Sequence, residues 1–232
     1  MTKQDYRPRM GRSRTAGKSP AILAAFTRSV AERGYDGTNF GDLAQELGIS
    51  KGTIVHHYGT KDRLLAALHE SYMRRRLNEA RAVLRRLSRP SNRLAALLFA
   101  FVLYQVHDRE ATVAFQREIA RLAQHVSMAE GARLRAEYLD LVRSVLDAGI
   151  ESGELRPGDT RLRSLFLFGS AHWAWTWFDP AGPDPVETVA ASFVDLALAG
   201  LLTDPGRLAE LTDPGGPVLS VVKDCLITSD DV

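Results

Sequence analysis

The 232-residue sequence predicts an all-α protein, and three observations support this fold class. Apolar residues recur at intervals of three and four positions through most of the chain, which is the period of amphipathic helices. Glycine and proline residues separate these segments, as they do at helix ends. No alternating pattern typical of a β-strand competes with the helical pattern before residue 217. We therefore expect about nine helices, divided between a small N-terminal domain and a larger C-terminal domain.

The composition is that of an ordinary globular protein, with 45% hydrophobic and 25% charged residues. No run of about 18 or more uncharged apolar residues occurs, so we expect no membrane span. The N-terminal segment is basic but has no apolar segment behind it, so it is not predicted to be a secretory signal. Cys225 is the only cysteine, which excludes an intramolecular disulfide and fits a reducing cytoplasm.

Positive charge is concentrated in the N-terminal quarter of the chain. Residues 1–61 contain ten Lys and Arg against five Asp and Glu, a net charge of +5, whereas the whole chain carries +2. This asymmetry indicates a polyanion-binding module attached to a second module. Residues 1–18 are predicted to be a basic, disordered arm. The arm could follow a phosphate backbone or enter a minor groove, or it could be a solvated tail without that role.

Residues 19–65 have the spacing of a helix-turn-helix domain, which presents one helix to the DNA major groove. The first helix is expected to begin with Ser19 as N-cap and Pro20 at its first position. Thr38 or Asn39 is expected to cap the second helix. These start signals precede a third, short helix.

The third helix is the predicted DNA-reading element. Gly48 supplies a sharp turn with positive φ before it, and Ser50 is its predicted N-cap. At about 100° per residue, Ile54 and Tyr58 fall on one face, where we expect them to anchor the helix in the core. Groove reading requires a face of small and polar residues, and the opposite face carries Gly52, Thr53, Val55 and His56.

The rest of the chain is predicted to be a series of longer helices. Lys61 begins a fourth helix that ends before Arg89-Pro90, because the residue before proline disfavours helical backbone. A helix through the three tryptophans is apolar nearly all round, which predicts burial on several sides. Residues 218–227 are either a packed extension or a loose tail. The helices after the fourth are expected over about 91–107, 109–128, 131–152, 160–178 and 185–202.

The run GYDGTNFGDLAQELGISKGTIVHHYGTKDRLLAAL, residues 34–68, resembles the N-terminal signature of the TetR family of bacterial one-component regulators. The resemblance implies a dimer that binds a pseudo-palindromic operator and is released by a small molecule in the C-terminal domain. The late helices near 160–178 and 185–202 would pair in the dimer. The implied parts are the arm 1–18, a DNA-binding domain 19–65, a helical ligand-binding and dimerisation domain 66–203, and an extension 204–232 of unknown role.

The family pattern also implies roles for single residues. Carried over position by position, His57 and Lys61 would contact phosphate, and Gly52 would let the backbone approach DNA closely. Val55 departs from the tyrosine that many family members carry; a phosphate-bonding hydroxyl is lost, and valine could instead touch a thymine methyl group. The other residues expected at the DNA interface are Thr38, Ser50, Lys51, Thr53 and His56.

FQREIARLAQ (115–124) and HWAWTWFDPAGP (172–183) are similar to segments of TetR-type repressors that respond to acyl-CoA thioesters in fatty-acid and steroid catabolism. The resemblance implies an apolar pocket beside the tryptophan-rich helix, with Arg117 and Arg121 as partners of a CoA phosphate. Three tryptophans on a buried helix are more often core or dimer interface than pocket, and that interpretation is the alternative. A hydrophobic cation, sensed by an efflux regulator through cation–π contact, is the alternative ligand. The expected pocket residues are Phe115, Arg117, Arg121, Phe168, His172, Trp173 and Trp177.

Other chemistry finds little support in the sequence. There is no P-loop, no GxGxxG and no GxSxG motif, so no catalytic residue is predicted. His56 and His57 point about 100° apart on a helix, so we expect no metal site there. The prediction is a cytoplasmic, non-enzymatic regulator without cofactor, whose partners are double-stranded DNA, a second copy of the chain and a small hydrophobic ligand. An all-helical enzyme or carrier with a coincidental helix-turn-helix pattern is the alternative class.

Overall fold

A computed structural model describes residues 17–120 and 126–226. The predicted arm over 1–18 lies outside these ranges except for its last two residues, and Arg121 lies outside them entirely. Within the described ranges the chain forms eleven α-helices and one isolated antiparallel bridge, between Leu155 and Leu202. The helices are α1 Lys18–Arg33, α2 Phe40–Glu46, α3 Lys51–Tyr58, α4 Lys61–Arg86, α5 Pro90–His107, α6 Arg109–Glu118, α7 Ala129–Glu151, α8 Thr160–His172, α9 Val186–Ala199, α10 Leu208–Thr212 and α11 Pro217–Cys225.

The all-α fold class is confirmed, and the two helices beyond the nine expected are α10 and α11. The segment 218–227 is a packed extension as far as Cys225, because α11 buries Val218, Leu219 and Val222 against α4 and α5. Among the described residues, no helix is both long and apolar enough to cross a membrane.

The helix-turn-helix is held together by the local signals expected from its sequence. The Asn39 side chain caps α2 by accepting from the backbone amides of Gly41 and Asp42. Ser50 caps α3 by accepting from the amide of Thr53. Gly48 has the predicted positive φ, at 62°. Each of these features was predicted from the sequence, and each is confirmed.

The predicted start of α1 is wrong. The helix begins at Lys18, Gly17 occupies its N-cap position, and no side chain caps it. The hydroxyl of Ser19 instead donates to the Tyr58 hydroxyl at 2.9 Å, and that hydroxyl donates to the Ser19 carbonyl oxygen at 2.9 Å. Ser19 therefore joins α1 to α3, which the local cap signal could not reveal.

Two helices are shorter than predicted. The helix expected over 109–128 ends at Glu118, and the one expected over 160–178 ends at His172. A 3₁₀ turn, Ala174–Thr176, follows α8. The sequence misled because a 3₁₀ helix also brings residues three apart onto one face, so the apolar period continues past the end of the α-helix.

α5 is the central helix of the C-terminal domain. It packs against α4, α6, α7, α8, α9, α10 and α11. Every residue from Leu94 to Gln105 is buried, as expected for a helix that is apolar on all sides. The prediction that 160–178 is buried on several sides is wrong for the single chain. The side chains of Phe166 and Trp173 are 72% and 66% exposed.

Candidate DNA-reading surface and ligand cavity

α3 presents a compact exposed face beside a buried anchor. Ile54 is completely buried, whereas Val55 on the same helix is 49% exposed. Ser50, Lys51, Gly52 and His56 are exposed and Thr53 is half-buried. The structure thus gathers the predicted DNA-facing residues of α3 on one surface, apart from the core side of the helix.

Thr38 does not belong to that surface. Its side chain is completely buried. Its hydroxyl donates to the Gly34 carbonyl oxygen at 2.9 Å and shares a hydrogen bond of 2.8 Å with the Ser29 hydroxyl. The prediction that the Thr38 side chain contacts DNA is therefore wrong. Its role is to tie the loop before α2 to the end of α1, because both hydrogen bonds go to that end.

The two predicted phosphate contacts occupy different environments. The Lys61 ammonium lies 4.2 Å from the centroid of the Tyr35 ring, a cation–π contact that holds it at the start of α4. The Tyr35 hydroxyl in turn donates to the Asp62 carboxylate. His57 is half-buried and its Nε2 is buried without a hydrogen-bond partner. The Lys61 ammonium therefore lies near the positive N-terminal end of the α4 dipole. Because Nε2 of His57 is buried, this side chain could contact a phosphate only through Nδ1.

A cavity lies between α4, α5, α6, α7 and α8. It encloses about 380 Å³ of empty space, a figure that includes space open to solvent. Phe115, Phe168 and His172, three of the predicted pocket residues, lie on its wall. Sequence reasoning missed the remaining lining residues, which are Tyr72, Met73, Arg76, Phe101, Tyr104, Gln116, Tyr138 and Ala171.

Aromatic rings form most of the cavity wall. Phe115 stacks on Tyr72 with ring centroids 4.4 Å apart. Phe168 meets Phe101 edge to face at 5.6 Å and stacks on His172 at 6.0 Å. Rings locked against one another in this way offer a preformed apolar surface, which suits the carbon skeleton of a hydrophobic ligand.

A buried ion cluster lies at one end of the cavity. The Arg76 guanidinium is 2.9 Å from the Glu79 carboxylate and 3.1 Å from that of Asp108. Asp108 also pairs with Arg75 at 3.1 Å. The Arg76 guanidinium carbon lies 4.0 Å from the centroid of the Tyr104 ring. Mutual pairing offsets the cost of burying these charges.

Burial controls the protonation of the groups around the cavity. It raises the pKa of Tyr72, Tyr104 and Tyr138, so these phenols are protonated at neutral pH. It lowers the pKa of His69 to about 3 and lowers that of His172. Both imidazoles are therefore neutral at pH 7. The centroid of the His69 ring lies 5.0 Å from that of the Phe115 ring.

Three predicted pocket residues lie elsewhere. Trp173 and Trp177 are exposed, at 66% and 61%, because α8 ends at His172 and the 3₁₀ turn carries them to the surface. Arg117 is also exposed and turns away from the cavity toward the DNA-binding domain. The prediction that these three side chains line the pocket is wrong, and Arg121 lies outside the described residues.

α6 connects the cavity to the DNA-binding domain. Phe115 and Gln116 line the cavity. The next residue, Arg117, donates to the carbonyl oxygens of Ala31 at 2.8 Å and Glu32 at 3.2 Å, near the C-terminal end of α1. Glu118, one residue further, accepts from the Tyr35 amide at 2.9 Å. Sequence reasoning missed this junction, since only the fold shows that four consecutive residues face two domains.

Exposed apolar side chains lie on α8, on α9 and in the segment between them, and together they are called here the exposed apolar face. Phe166 is 72% and Leu196 77% exposed. Leu162, Leu165, Trp173 and Trp177 are the other large exposed apolar side chains of this region. Large exposed apolar surface of this kind marks an interaction site. It lies on the two segments, 160–178 and 185–202, that were predicted to form the dimer interface.

Among the described residues, no group of three or more His, Cys, Asp and Glu side chains could hold a metal ion. The candidate site therefore has three parts. They are the exposed face of α3, a separate cavity lined by aromatic rings, and the contacts of α6 that connect the two regions.

Comparison with known families and proteins agrees with this arrangement. Residues 22–68 match the family described as bacterial regulatory proteins, tetR family. Residues 87–201 match the family described as tetracyclin repressor-like, C-terminal domain. The two matches together cover more than two thirds of the chain.

Three known proteins illustrate the likeness. The chain is 26% identical over 189 residues to the HTH-type transcriptional repressor KstR2 of Rhodococcus jostii strain RHA1, covering 80% of this chain and 92% of that protein. A solved structure of the ketosteroid transcriptional regulator KstR2 of Mycobacterium tuberculosis superposes with a TM-score of 0.71 at 24% identity, covering 84% of this chain and 98% of that one. AibR, solved in complex with isovaleryl coenzyme A and operator DNA, superposes with a TM-score of 0.68 at 26% identity, covering 77% and 97%.

Proposed function

Because the chain belongs to the TetR family of bacterial regulatory proteins, we propose that it is a cytoplasmic transcriptional repressor released from DNA by a small hydrophobic effector. It binds a pseudo-palindromic operator as a homodimer, and the effector is an acyl-CoA thioester. The observation that carries this proposal is the division of α3 into a buried anchor, Ile54, and an exposed face that includes Val55 and His56.

The exposed face of α3 fits the major groove. A recognition helix contacts base edges with a few side chains while its opposite side holds it in the domain. Lys51 and Lys61 add positive charge at the N-terminal ends of α3 and α4, where helix dipoles already favour phosphate. Thr53 and His56 are the side chains proposed to read bases, and Val55 is proposed to touch a thymine methyl group.

A homodimer follows from the size of this surface. One short helix reads only a few base pairs, so useful specificity requires two half-sites separated by about 34–36 Å or a multiple of it. The exposed apolar face that includes Phe166 and Leu196 supplies the surface on which two copies would pair. α3 packs against α2 and α4, so pairing through α8 and α9 leaves both recognition helices free for DNA.

An acyl thioester suits the cavity better than a hydrophobic cation does. The wall is aromatic, and the carboxylates nearest its buried end, Glu79 and Asp108, are engaged by Arg75 and Arg76. A cationic drug would have to approach the Arg76 guanidinium, which repels it. The isovaleryl coenzyme A in AibR supports the same ligand class. Arg121 is proposed as a partner of the CoA phosphates.

Two helices link ligand to DNA. α4 buries Leu64 and Leu68 in the N-terminal core and then supplies Tyr72 and Arg76 to the cavity. α6 supplies Phe115 to the cavity, and its last turn bonds to α1 and to Tyr35. A ligand that spreads the cavity would displace these two helices, and the displacement would change the separation of the recognition helices. The ligand would bind more tightly to the displaced arrangement than to the DNA-bound one. The difference between these two binding free energies sets the coupling free energy.

Fluorescence anisotropy tests the regulator against an all-helical enzyme or carrier. The duplex is the DNA upstream of the protein's own gene, measured at several salt concentrations. A repressor shows affinity that falls steeply with salt and a preference for that duplex over a shuffled one. Addition of isovaleryl-CoA and of longer acyl-CoA thioesters should lower the affinity. Absence of any preference for the upstream duplex would remove the proposal.

A further inference from the structure

Three buried hydrogen-bond donors belong to residues that line the cavity and make no hydrogen bond of ordinary geometry within the described part of the chain. They are the hydroxyls of Tyr104 and Tyr138 and the Nη1 group of Arg76. All three side chains are almost completely buried, with Arg76 only 2% exposed. Buried polar groups are paired in nearly all native proteins. Three unpaired donors on one cavity wall therefore indicate an acceptor that arrives from outside the chain.

These donors cannot satisfy one another. The Tyr104 and Tyr138 hydroxyls are close enough for one to donate to the other, although the contact lacks ordinary hydrogen-bond geometry. If one hydroxyl donated to the other, the second O–H would still lack an acceptor. The guanidinium of Arg76 has donors only, so it adds to the excess. The cavity wall is therefore rich in donors.

The local charge indicates what kind of acceptor fits. Arg75 and Arg76 are matched by Glu79 and Asp108, so the cluster carries two positive and two negative charges. A ligand carboxylate would bring a further negative charge into a buried region that is already balanced, at a high desolvation cost. A ketone or hydroxyl oxygen accepts the same hydrogen bonds without that cost.

We infer that the effector carries a neutral oxygen, a ketone or a hydroxyl, on the part of its skeleton that is buried deepest. Tyr104, Tyr138 and Arg76 donate to this oxygen, while Phe101 and Phe115 pack on the carbon skeleton. Gln116 and His172 are only half-buried and line the cavity, and we infer that the thioester leaves the cavity past them. The inference rests on the proposed function, since it assumes an acyl thioester that enters by its acyl end.

Isothermal titration with matched thioesters tests the inference on the full chain. The probes are hexanoyl-CoA with 5-oxohexanoyl-CoA, and decanoyl-CoA with 9-oxodecanoyl-CoA, so that each pair differs by one ketone oxygen. The mono-CoA thioester of decanedioic acid carries a carboxylate instead. We expect the oxo compound of at least one pair to bind about tenfold or more tighter than its saturated partner, and tighter than the diacid thioester.

Tyr138→Phe removes one donor and little else, and Tyr58→Phe is the matched control outside the cavity. The Tyr138→Phe change should reduce the preference for the oxo compound severalfold and leave the saturated compound unaffected, whereas Tyr58→Phe should alter neither. The urea midpoint of Tyr138→Phe should be unchanged or higher, because an unpaired buried hydroxyl contributes nothing to stability. A lower midpoint would show that the hydroxyl is bonded in the free protein, and the inference would fail.

The outcomes separate this inference from the proposed function. Equal binding within both pairs, with release from operator DNA intact, overturns the inference alone and leaves ordered water as the partner of the donors. Tighter binding of the diacid thioester overturns the choice of a neutral oxygen. If the protein binds operator DNA but none of the thioesters, the proposal of an acyl-CoA effector is wrong. The inference about its oxygen is then wrong as well.

Discussion

Arg117 donates a hydrogen bond of 2.8 Å to the carbonyl oxygen of Ala31 and so joins the helix that lines the cavity to the helix that supports the DNA-binding domain. A cation at the C-terminal end of α1 is favourable because the last carbonyl groups of a helix lack partners and carry partial negative charge. The same arginine lies 5.8 Å from the Trp175 ring. It is therefore placed to transmit a change at α6 to α1.

The first prediction concerns this junction. Arg117→Ala should weaken the coupling between effector and operator, because it removes the bonds to Ala31 and Glu32 and leaves the cavity wall intact. We expect the effector-induced loss of operator affinity to fall by about 5-fold, while affinity for the effector alone hardly changes. The measurement is operator affinity with and without saturating acyl-CoA. Arg133→Ala, an exposed arginine on α7, is the control; equal coupling in wild type and Arg117→Ala would rule out this role.

The second prediction concerns the anchor of α3. Ile54→Ala should destabilise the protein by about 2–5 kcal/mol, because it leaves a cavity in a fully packed core. Val55→Ala, on the exposed side of the same helix, should change stability by no more than about 0.5 kcal/mol. Urea denaturation monitored by circular dichroism measures both. Similar losses for the two variants would show that the faces of α3 are assigned incorrectly.

The third prediction concerns His69. Its folded pKa of about 3 lies below the usual value of 6.5, so between these values the unfolded chain binds the proton and the folded chain does not. Stability contributed by this group is thus fully present above pH 6.5 and is lost as the pH falls toward 3. His69→Phe should flatten the fall in unfolding free energy between about pH 6 and pH 4. Val55→Ala, an exposed position without a titratable group, should leave the slope unchanged; a wild-type slope in His69→Phe would contradict the assignment.

The fourth prediction concerns the exposed face of α8 and α9. Phe166→Asp combined with Leu196→Asp should convert the dimer to a monomer at micromolar concentration, because charges would be buried in an apolar contact. Light scattering after size exclusion reports the mass. Val55→Asp is the control, since it introduces a charge at an exposed apolar position on α3. A wild-type protein that is already monomeric would refute the dimer, and a dimeric double variant would place the interface elsewhere.

The sequence predicts this molecule well where local chemistry decides the structure. Caps at Asn39 and Ser50, the positive φ of Gly48 and the burial of Ile54 all follow from residues within a few positions of one another. The TetR family assignment follows from the same stretch and is confirmed by the family matches.

The cavity shows where sequence reasoning stops. Arg76, Tyr104 and Tyr138 come from α4, α5 and α7, and each alone looks like an ordinary residue of an amphipathic or buried helix. Only packing brings them together. The prediction that Trp173 and Trp177 line the pocket was wrong because their spacing implied one continuous α-helix. The chain instead forms a 3₁₀ turn between them. The DNA contacts proposed for α3 stay predictions.

One comparison tests the central claim, that α3 reads operator DNA, more directly than any other. The affinities of wild type, His56→Ala and the control Lys223→Ala are measured by anisotropy on the upstream duplex and on a shuffled duplex of the same length. Loss of a base contact costs about 1–3 kcal/mol on the specific duplex only. We expect His56→Ala to bind the upstream duplex at least about fivefold more weakly and the shuffled duplex almost unchanged, with Lys223→Ala like wild type on both. Equal losses on the two duplexes, or none on either, would contradict the claim.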